Sequence, residues 1–127
     1  MTLLLDTHAF LWWISDDPRL SPPARAAIGD GRNEVFLSAA SAWEIAIKGG
    51  GRVEIPEPTA AFVTQQVRAN GFEVLPIHLR HALAVASLPG HHRDPFDRML
   101  VAQSIQEGLK LVSGDAQIAL YDVEVVW

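Results

Sequence analysis

The sequence predicts an α/β fold, with a central parallel sheet of four or five short strands flanked by helices on both faces. Short apolar runs alternate with helical segments along the whole chain, which is typical of parallel sheets built from strand–helix–strand units. A length of 127 residues with 49% hydrophobic composition is that of one compact domain. We therefore expect residues 1–127 to form a single domain.

Strands are predicted where short apolar runs end at turn residues. They lie at residues 2–5, 34–38, 72–77, 109–113 and 123–127. The first of them is an uninterrupted apolar run that stops at Asp6, so we expect it to be buried in the centre of the sheet.

Helices are predicted where apolar residues recur at helical spacing between capping residues and glycines. They lie at residues 8–14, 22–28, 41–48, 59–70, 78–88, 95–107 and 116–120. Ser41 and Glu44 have the spacing of a capping box, so the third helix should begin near Ser41 with Glu44 in its first turn. In the helix at 95–107, Gln103 is expected to face solvent and Ile105 to be buried.

The composition narrows the functional classes. A net charge of −5 argues against a broad basic surface for nucleic acid. The absence of cysteine excludes disulfides and thiolate metal sites, and it fits a reducing cytoplasm. The apolar run at residues 9–14 is far too short to cross a bilayer, so we expect a cytoplasmic protein with no membrane partner.

Four carboxylates are expected to meet at one edge of the sheet. In parallel sheets the functional crevice lies beyond the carboxyl ends of the strands. Asp6 and Asp115 follow predicted strands, and Glu44 and Asp97 should lie in first helical turns at the same edge. Each acid taken singly is also explained as a helix cap or a first-turn charge.

Taken together, the four acids favour a divalent cation. Converging carboxylates repel one another and raise each other's pKa unless a cation lies among them. With these four set aside, 11 acidic side chains stand against 10 basic ones, so the rest of the chain is nearly neutral. An all-oxygen site suits Mg²⁺ or Mn²⁺, ions that support phosphodiester hydrolysis.

Four segments carry a family resemblance. They are Leu-Leu-Asp-Thr-His at 4–8, Ser-Ala-Ala-Ser-Ala-Trp-Glu-Ile-Ala-Ile-Lys at 38–48, the segment at 88–103 with Arg-Asp-Pro-Phe-Asp-Arg, and Ser-Gly-Asp at 113–115. In this order and spacing, the chain resembles PIN-domain ribonucleases, the VapC-type toxins of toxin–antitoxin pairs. Ser113 stands where threonine is more usual, and it keeps the hydroxyl.

The resemblance implies a function and a set of site residues. Asp6, Glu44, Asp97 and Asp115 correspond to the acidic metal-binding quartet of an endoribonuclease, which implies Mg²⁺ or Mn²⁺ as cofactor and RNA as substrate. The resemblance also implies a homodimer, a cytoplasmic setting and a cognate antitoxin protein that covers the site.

Polar neighbours of the quartet have two open interpretations each. Thr7 and Ser38 could bond a metal-bound water, or they could only satisfy turns. Arg98, and with less support Arg93, could contact an RNA phosphate or pair with a nearby acid. Asp94 could be a further ligand, but the capping preference of aspartate favours the N-cap of the helix that follows it.

Two groups of residues invite other interpretations. His91 and His92 lack the spacing of zinc ligands and are interpreted as loop polarity. Trp12, Trp13 and Trp43 lie in apolar helical stretches and are interpreted as core or interface residues rather than base-stacking platforms.

Two other functional classes compete with the nuclease. A catalytically inactive PIN-like module would bind a protein through its apolar helices and keep the acids only as caps. A phosphoryl-receiver domain would use Asp6 as acceptor, but no acidic pair precedes that position.

Overall fold

The computed structural model describes residues 1–91 and 93–127. Its strands are β1 (Thr2–Leu5), β2 (Glu34–Ser38), β3 (Glu73–Leu75), β4 (Lys110–Val112) and β5 (Val125–Val126). Its helices are α1 (Thr7–Ile14), α2 (Pro22–Gly29), α3 (Ala39–Lys48), α4 (Thr59–Ala69), α5 (Leu79–Ala84) and α6 (Pro95–Glu107). Within those two ranges, none of the helices has the length and apolar character needed to cross a membrane.

β1 occupies the centre of a parallel sheet with the strand order β3-β2-β1-β4-β5. Leu4 lies opposite Phe36 of β2 on one side and opposite Leu111 of β4 on the other. Leu3, Leu4 and Leu5 are all fully buried. The predicted fold class and the central place of the first strand are confirmed.

Helices cover both faces of the sheet. Alternate residues of a strand point to opposite faces, so β1 contributes leucines to the core on each side. Leu3 and Leu5 belong to an apolar core that also contains residues of α1, α2 and α4. Leu4 belongs to a second core with Leu100 and Val101 of α6. The uninterrupted leucines of β1 are therefore used on both faces.

The direction of chain progression across the sheet changes between β1 and β4. β2 and β3 are added on one side of β1, and β4 and β5 on the other. In such sheets a crevice opens outside the carboxyl ends of the two strands at the change. The backbone N–H of Asp6 donates to the carbonyl of Val112 (3.0 Å) and joins these two strand ends.

The N-cap of α3 is Ser38, and the capping box predicted at Ser41 and Glu44 is wrong. The Ser38 hydroxyl accepts a hydrogen bond from Ala40 N–H (3.0 Å). Ser41 lies inside the helix and is fully buried, and Glu44 lies in the second turn. Both serines have the same intrinsic preference for capping, and the earlier one is favoured because its hydroxyl also bonds Gln103 across the core (2.6 Å).

Gln103 of α6 is fully buried, contrary to the prediction that it faces solvent. Its amide accepts a hydrogen bond from Ser38 and donates one to the carbonyl of Pro76 (3.2 Å). Ile105, predicted to be buried, is 43% exposed. Gln103 lies three residues after Leu100 on the buried side of the helix, so helical spacing rather than residue polarity sets its position.

Several elements are shorter than predicted. The helix expected at 78–88 divides into α5 and a 3-10 turn at Val85–Ser87, and the one expected at 116–120 is a 3-10 turn at Ile118–Leu120. The strands expected at 72–77, 109–113 and 123–127 keep only their middle residues. Each edge strand is limited to the few residues that find a paired neighbour in the sheet.

Replacing the buried amide with Gln103→Leu should destabilise the protein by about 1–3 kcal/mol. The change removes both hydrogen bonds and leaves the carbonyl of Pro76 without its donor inside the protein. Urea unfolding measures the difference. On the same helix, Gln106→Leu alters an exposed residue and should change stability by no more than about 0.5 kcal/mol. Equal effects of the two variants would contradict the structural role of Gln103.

Candidate active site

Asp6 directly follows β1 and caps α1. Its Oδ1 accepts a hydrogen bond from Ala9 N–H (2.7 Å), so the carboxylate satisfies the first turn of the helix. The residue is only 5% exposed. The cap and the predicted site residue are therefore the same side chain.

The surroundings of Asp6 disfavour its negative charge. Burial raises the pKa of this carboxyl above its ordinary value, and hydrogen bonds from the Ser113 hydroxyl and Ala9 N–H offset part of that effect. The nearby charge of Asp115 raises the pKa of Asp6 further. A cation at this place would relieve both the burial of charge and the repulsion.

Asp115 reaches the same place from the turn after β4. The Ser113 hydroxyl accepts from Asp115 N–H (3.1 Å), and Asp115 Oδ1 accepts from Gln117 N–H (2.9 Å). These local bonds fix the turn and hold the half-buried carboxylate beside the strand end. Asp6 and Asp115 line one cavity of about 520 Å³, which we call the acidic cavity; its other lining residues are His8, Trp12, Arg19, Gly114 and Trp127.

Glu44 is joined to the start of α1 through Thr7. The Thr7 hydroxyl lies 2.6 Å from Glu44 Oε1 and 3.0 Å from the hydroxyl of Ser41. Because Thr7 has one proton to donate, it donates to the carboxylate and accepts from Ser41. Glu44 is therefore held close to the residue that follows Asp6.

Lys48 lies between two acids of different helices. Its Nζ is 3.4 Å from Glu44 Oε2 and 3.5 Å from Asp94 Oδ2. Partial burial lowers the pKa of Lys48, but the carboxylates of Asp94 and Glu44 outweigh it and raise that pKa overall. The ammonium group therefore links the middle of α3 to the start of α6.

The start of α6 has the geometry expected from its sequence. Asp94 is the N-cap, and its Oδ1 accepts from Phe96 N–H (2.8 Å) and Asp97 N–H (3.1 Å). Pro95 occupies the first helical position. Asp97 lies half-buried in the first turn, as predicted.

The structure assembles the four predicted acids only in part. Asp6 and Asp115 share the acidic cavity, and Glu44 lines a smaller cavity of about 140 Å³ that meets it at His8. Asp97 lines neither. Across residues 1–91 and 93–127, no three acidic, histidine or cysteine side chains are placed to hold one metal ion.

Ser38 and Arg98 have internal partners. The Ser38 hydroxyl is used in capping α3 and in bonding Gln103. The Arg98 guanidinium donates to the carbonyls of Pro89 (2.8 Å) and Val85 (3.0 Å), so it fastens the preceding segment to α6. These bonds favour a structural role for Ser38 over contact with a metal-bound water, and a structural role for Arg98 over contact with an RNA phosphate.

The remaining sequence candidates have separate surroundings. Arg93 is exposed, and the ring of His91 lies 4.8 Å from that of Tyr121. His92 lies outside the described residues. Trp13 is half-buried and donates through Nε1 to Asn70 Oδ1 (2.9 Å). Trp43 is 58% exposed, so it is not a core residue.

A sequence profile of the PIN domain matches residues 3–124, a range that contains all four acids. The chain belongs to the PIN domain family. The resemblance inferred from the four sequence segments is therefore confirmed.

This PIN domain is similar to two proteins of Mycobacterium tuberculosis. Ribonuclease VapC22 is 33% identical over 122 residues, which cover 92% of this chain and 89% of that protein. Ribonuclease VapC16 is 44% identical over 69 residues, which cover 50% of this chain and 49% of that protein.

Solved structures share the fold. VapBC2 from Rickettsia felis, bound to a DNA fragment from its promoter, aligns with a TM-score of 0.70 at 11% identity and covers 98% of this chain and 97% of its own. FitAcB from Neisseria gonorrhoeae aligns with a TM-score of 0.64 at 18% identity and covers 97% of this chain and 95% of its own.

Sequence reasoning missed three residues around the acids of the PIN domain. Lys48 follows Glu44 by four residues, a spacing that signals an ion pair on a helix. Arg19 and Trp127 line the acidic cavity, but no local pattern places them there, because both reach it through tertiary packing.

The raised pKa of Asp6 predicts a pH-dependent stability difference. A carboxyl with a folded pKa above its unfolded value stabilises the fold below the unfolded pKa, and this contribution is lost as the pH rises through the folded pKa. Without metal, Asp6→Asn should therefore be more stable than the wild type at neutral pH, since asparagine keeps the cap. The difference should shrink as the pH falls toward about 4.

Thermal melts across this pH range in EDTA test the prediction, with Asp30→Asn as control. A hydrogen bond from the Arg32 side chain lowers the pKa of Asp30 to about 2, so its charged form is favoured in the folded protein. Removing that charge should not stabilise the fold at neutral pH. A less stable Asp6→Asn would show that the charge of Asp6 is not disfavoured.

Proposed function

We propose that this PIN domain is a metal-dependent endoribonuclease, the toxin of a toxin–antitoxin pair, and that it hydrolyses RNA phosphodiester bonds with Mg²⁺ or Mn²⁺. The observation that carries the proposal is the buried carboxylate of Asp6. It faces Asp115 across a cavity at the crevice between β1 and β4, where a negative charge is disfavoured unless a cation accompanies it.

The donor set suits such an ion. Carboxylate oxygens are hard ligands, and Mg²⁺ keeps several waters and needs only one or two protein carboxylates. Asp6 and Asp115 supply two in one cavity. Glu44 and Asp97 would complete the quartet, either as ligands or through bound water. Bound there, Mg²⁺ supplies Lewis-acid stabilisation of the charge that develops on the phosphate during hydrolysis.

The protein's own residues hold the carboxylates in place. Thr7 orients Glu44 by a hydrogen bond to Oε1, and Lys48 contacts the other oxygen of the same carboxylate. Asp94 sets the start of α6 and thereby the position of Asp97. We assign Thr7 to positioning Glu44 rather than to contact with RNA.

The partners follow from the family and from the surface. We assign the chain a cytoplasmic setting, a homodimeric state and a cognate antitoxin protein, as the resemblance implies. Several large apolar side chains are exposed and are available for contact with other protein chains. They include Trp43, Ile47, Leu79, Leu83 and Leu120.

Substitution of a proposed ligand should abolish cleavage. In partner-free protein with Mg²⁺, Glu44→Gln or Asp97→Asn should reduce the rate of RNA cleavage at least about 100-fold, because even indirect metal contacts typically contribute 10- to 100-fold. Gel analysis of a labelled structured RNA gives the rate. Excess EDTA should stop the wild-type reaction.

Asp94→Asn is the matched control, since asparagine caps helices as well as aspartate does. This variant should fold normally and retain cleavage within about tenfold of the wild type. Cleavage that persists in excess EDTA, or in Asp97→Asn, would exclude the metal-dependent mechanism.

Metal binding should also be visible without RNA. A ligand that binds only the folded state stabilises it, by about 2.7 kcal/mol at 100 times its dissociation constant. Thermal melts with Mg²⁺ or Mn²⁺ should show this increase for the wild type, and Asp97→Asn should lose most of it. An unchanged melting temperature in the wild type would favour the inactive binding module.

A further inference from the structure

The acidic cavity has a wall of flat side chains beside its two carboxylates. The ring of Trp12 lies 5.5 Å from that of His8 and 5.9 Å from that of Trp127. The guanidinium of Arg19 lies 4.9 Å from the centre of the Trp12 ring. All four side chains line the cavity that holds Asp6 and Asp115.

Trp127 is seated against the turn that carries Asp115. A Cβ atom at Gly114 would come within 2.6 Å of the indole of Trp127, so only glycine allows this contact. The pairing of β5 with β4 brings Trp127 to the turn. The indole is therefore held next to one of the proposed metal ligands.

Arg19 is held against the ring of Trp12 in the same lining of the cavity. Its Nε and Nη2 donate to the two carboxylate oxygens of Asp17 (3.0 and 2.7 Å), an arrangement that fixes the guanidinium plane. The Arg19 side chain is 43% exposed. The guanidinium thus contacts Trp12 while the side chain remains partly exposed.

We propose that the wall formed by His8, Trp12, Arg19 and Trp127, whose rings are tilted against one another, binds an unpaired RNA base next to the phosphodiester that is cut. The proposal replaces the core or interface role that the sequence indicated for Trp12. This inference rests on the proposed ribonuclease function, and it specifies which side chains of the same cavity contact the base. Bases stack on tryptophan rings and on arginine planes when they are free of a duplex.

The chemistry of the cavity favours a base over other ligands. Without a metal, a phosphate group beside Asp6 and Asp115 would meet like charge, whereas a neutral, planar base meets no such repulsion. A volume of about 520 Å³ lies within the range of small-ligand sites. The base would occupy the aromatic side and leave the carboxylate side to the phosphate and its metal.

Binding of labelled RNA to uncleaving protein tests the inference. In an Asp97→Asn background, fluorescence anisotropy compares short oligoadenylate RNA with an abasic ribose-phosphate chain of the same length. Oligoadenylate should bind roughly 5- to 100-fold more tightly, the range that base stacking on aromatic side chains supplies. This comparison needs no change to the cavity, so it does not depend on how a variant folds.

The variant Trp127→Leu in the same background should remove most of that difference. It should weaken binding of oligoadenylate and leave binding of the abasic chain unchanged, while Trp43→Leu, an exposed tryptophan outside the cavity, should change neither. Equal binding of the two chains by the parent protein would overturn the base site. So would a Trp127→Leu variant that weakens antitoxin binding but not RNA binding, because the wall would then be a protein contact.

The failure of the proposed activity would look different. If the protein with Asp97 intact did not cleave RNA while binding still depended on the base, the nuclease proposal would fail and the base site would stand. If cleavage occurred and binding were independent of the base, the nuclease proposal would stand and the base site would fail.

Discussion

The burial of one carboxylate at the end of a doubly covered strand governs the arrangement of this molecule. β1 is sealed on both faces by apolar side chains, and the chain leaves it directly into α1 through Asp6. The side chain of Asp6 therefore caps α1 while it is buried and poorly solvated. A helix start is one of the few places where this is tolerable, because its free N–H groups favour an acceptor.

The surrounding polar contacts extend outward from that point. Thr7, the residue after Asp6, donates a hydrogen bond to Glu44. Lys48 forms ion pairs with both Glu44 and Asp94, and Asp94 caps the first turn of α6. A second set of bonds, from Ser38 through Gln103 to Pro76, joins α3 to α6 inside the core. Two polar contacts thus join α3 to α6: the ion pair of Lys48 with Asp94 near the crevice, and the hydrogen bond of Ser38 with Gln103 in the core.

Much of the fold was predictable because strong local patterns agreed with the packing. The leucines of β1 and the Asp94-Pro95 pair each specify an element on their own, and so does Pro22, which begins α2 directly after its cap Ser21. Three of the four site acids were also predictable in position, Asp6 and Asp115 after strands and Asp97 in a first helical turn, whereas Glu44 lies in the second turn of α3. The contacts around these acids were harder to predict, because they join residues far apart in sequence, as Lys48 and Asp94 are.

The errors have physical causes as well. Ser38 and Ser41 are equally good caps by residue type, and only tertiary contacts distinguish them, with Gln103 for Ser38 and with Thr7 for Ser41. Gln103 itself was misplaced because its polarity was given more weight than its spacing from Leu100, whereas a fully bonded amide can be buried at moderate cost. The pattern 96, 100, 103 along α6 held the information that would have corrected this.

The contact between Gly114 and Trp127 also limits how the acidic cavity can diverge among related sequences. Any side chain added at Gly114 would displace the indole of Trp127 or the turn. We therefore expect few substitutions at Gly114. His8, Trp12 and Arg19 line the same cavity from α1 and the loop after it, and the Arg19 side chain is 43% exposed. Sequence differences that alter the shape of the cavity should therefore accumulate at His8, Trp12 and Arg19. The turn after β4 should remain nearly constant.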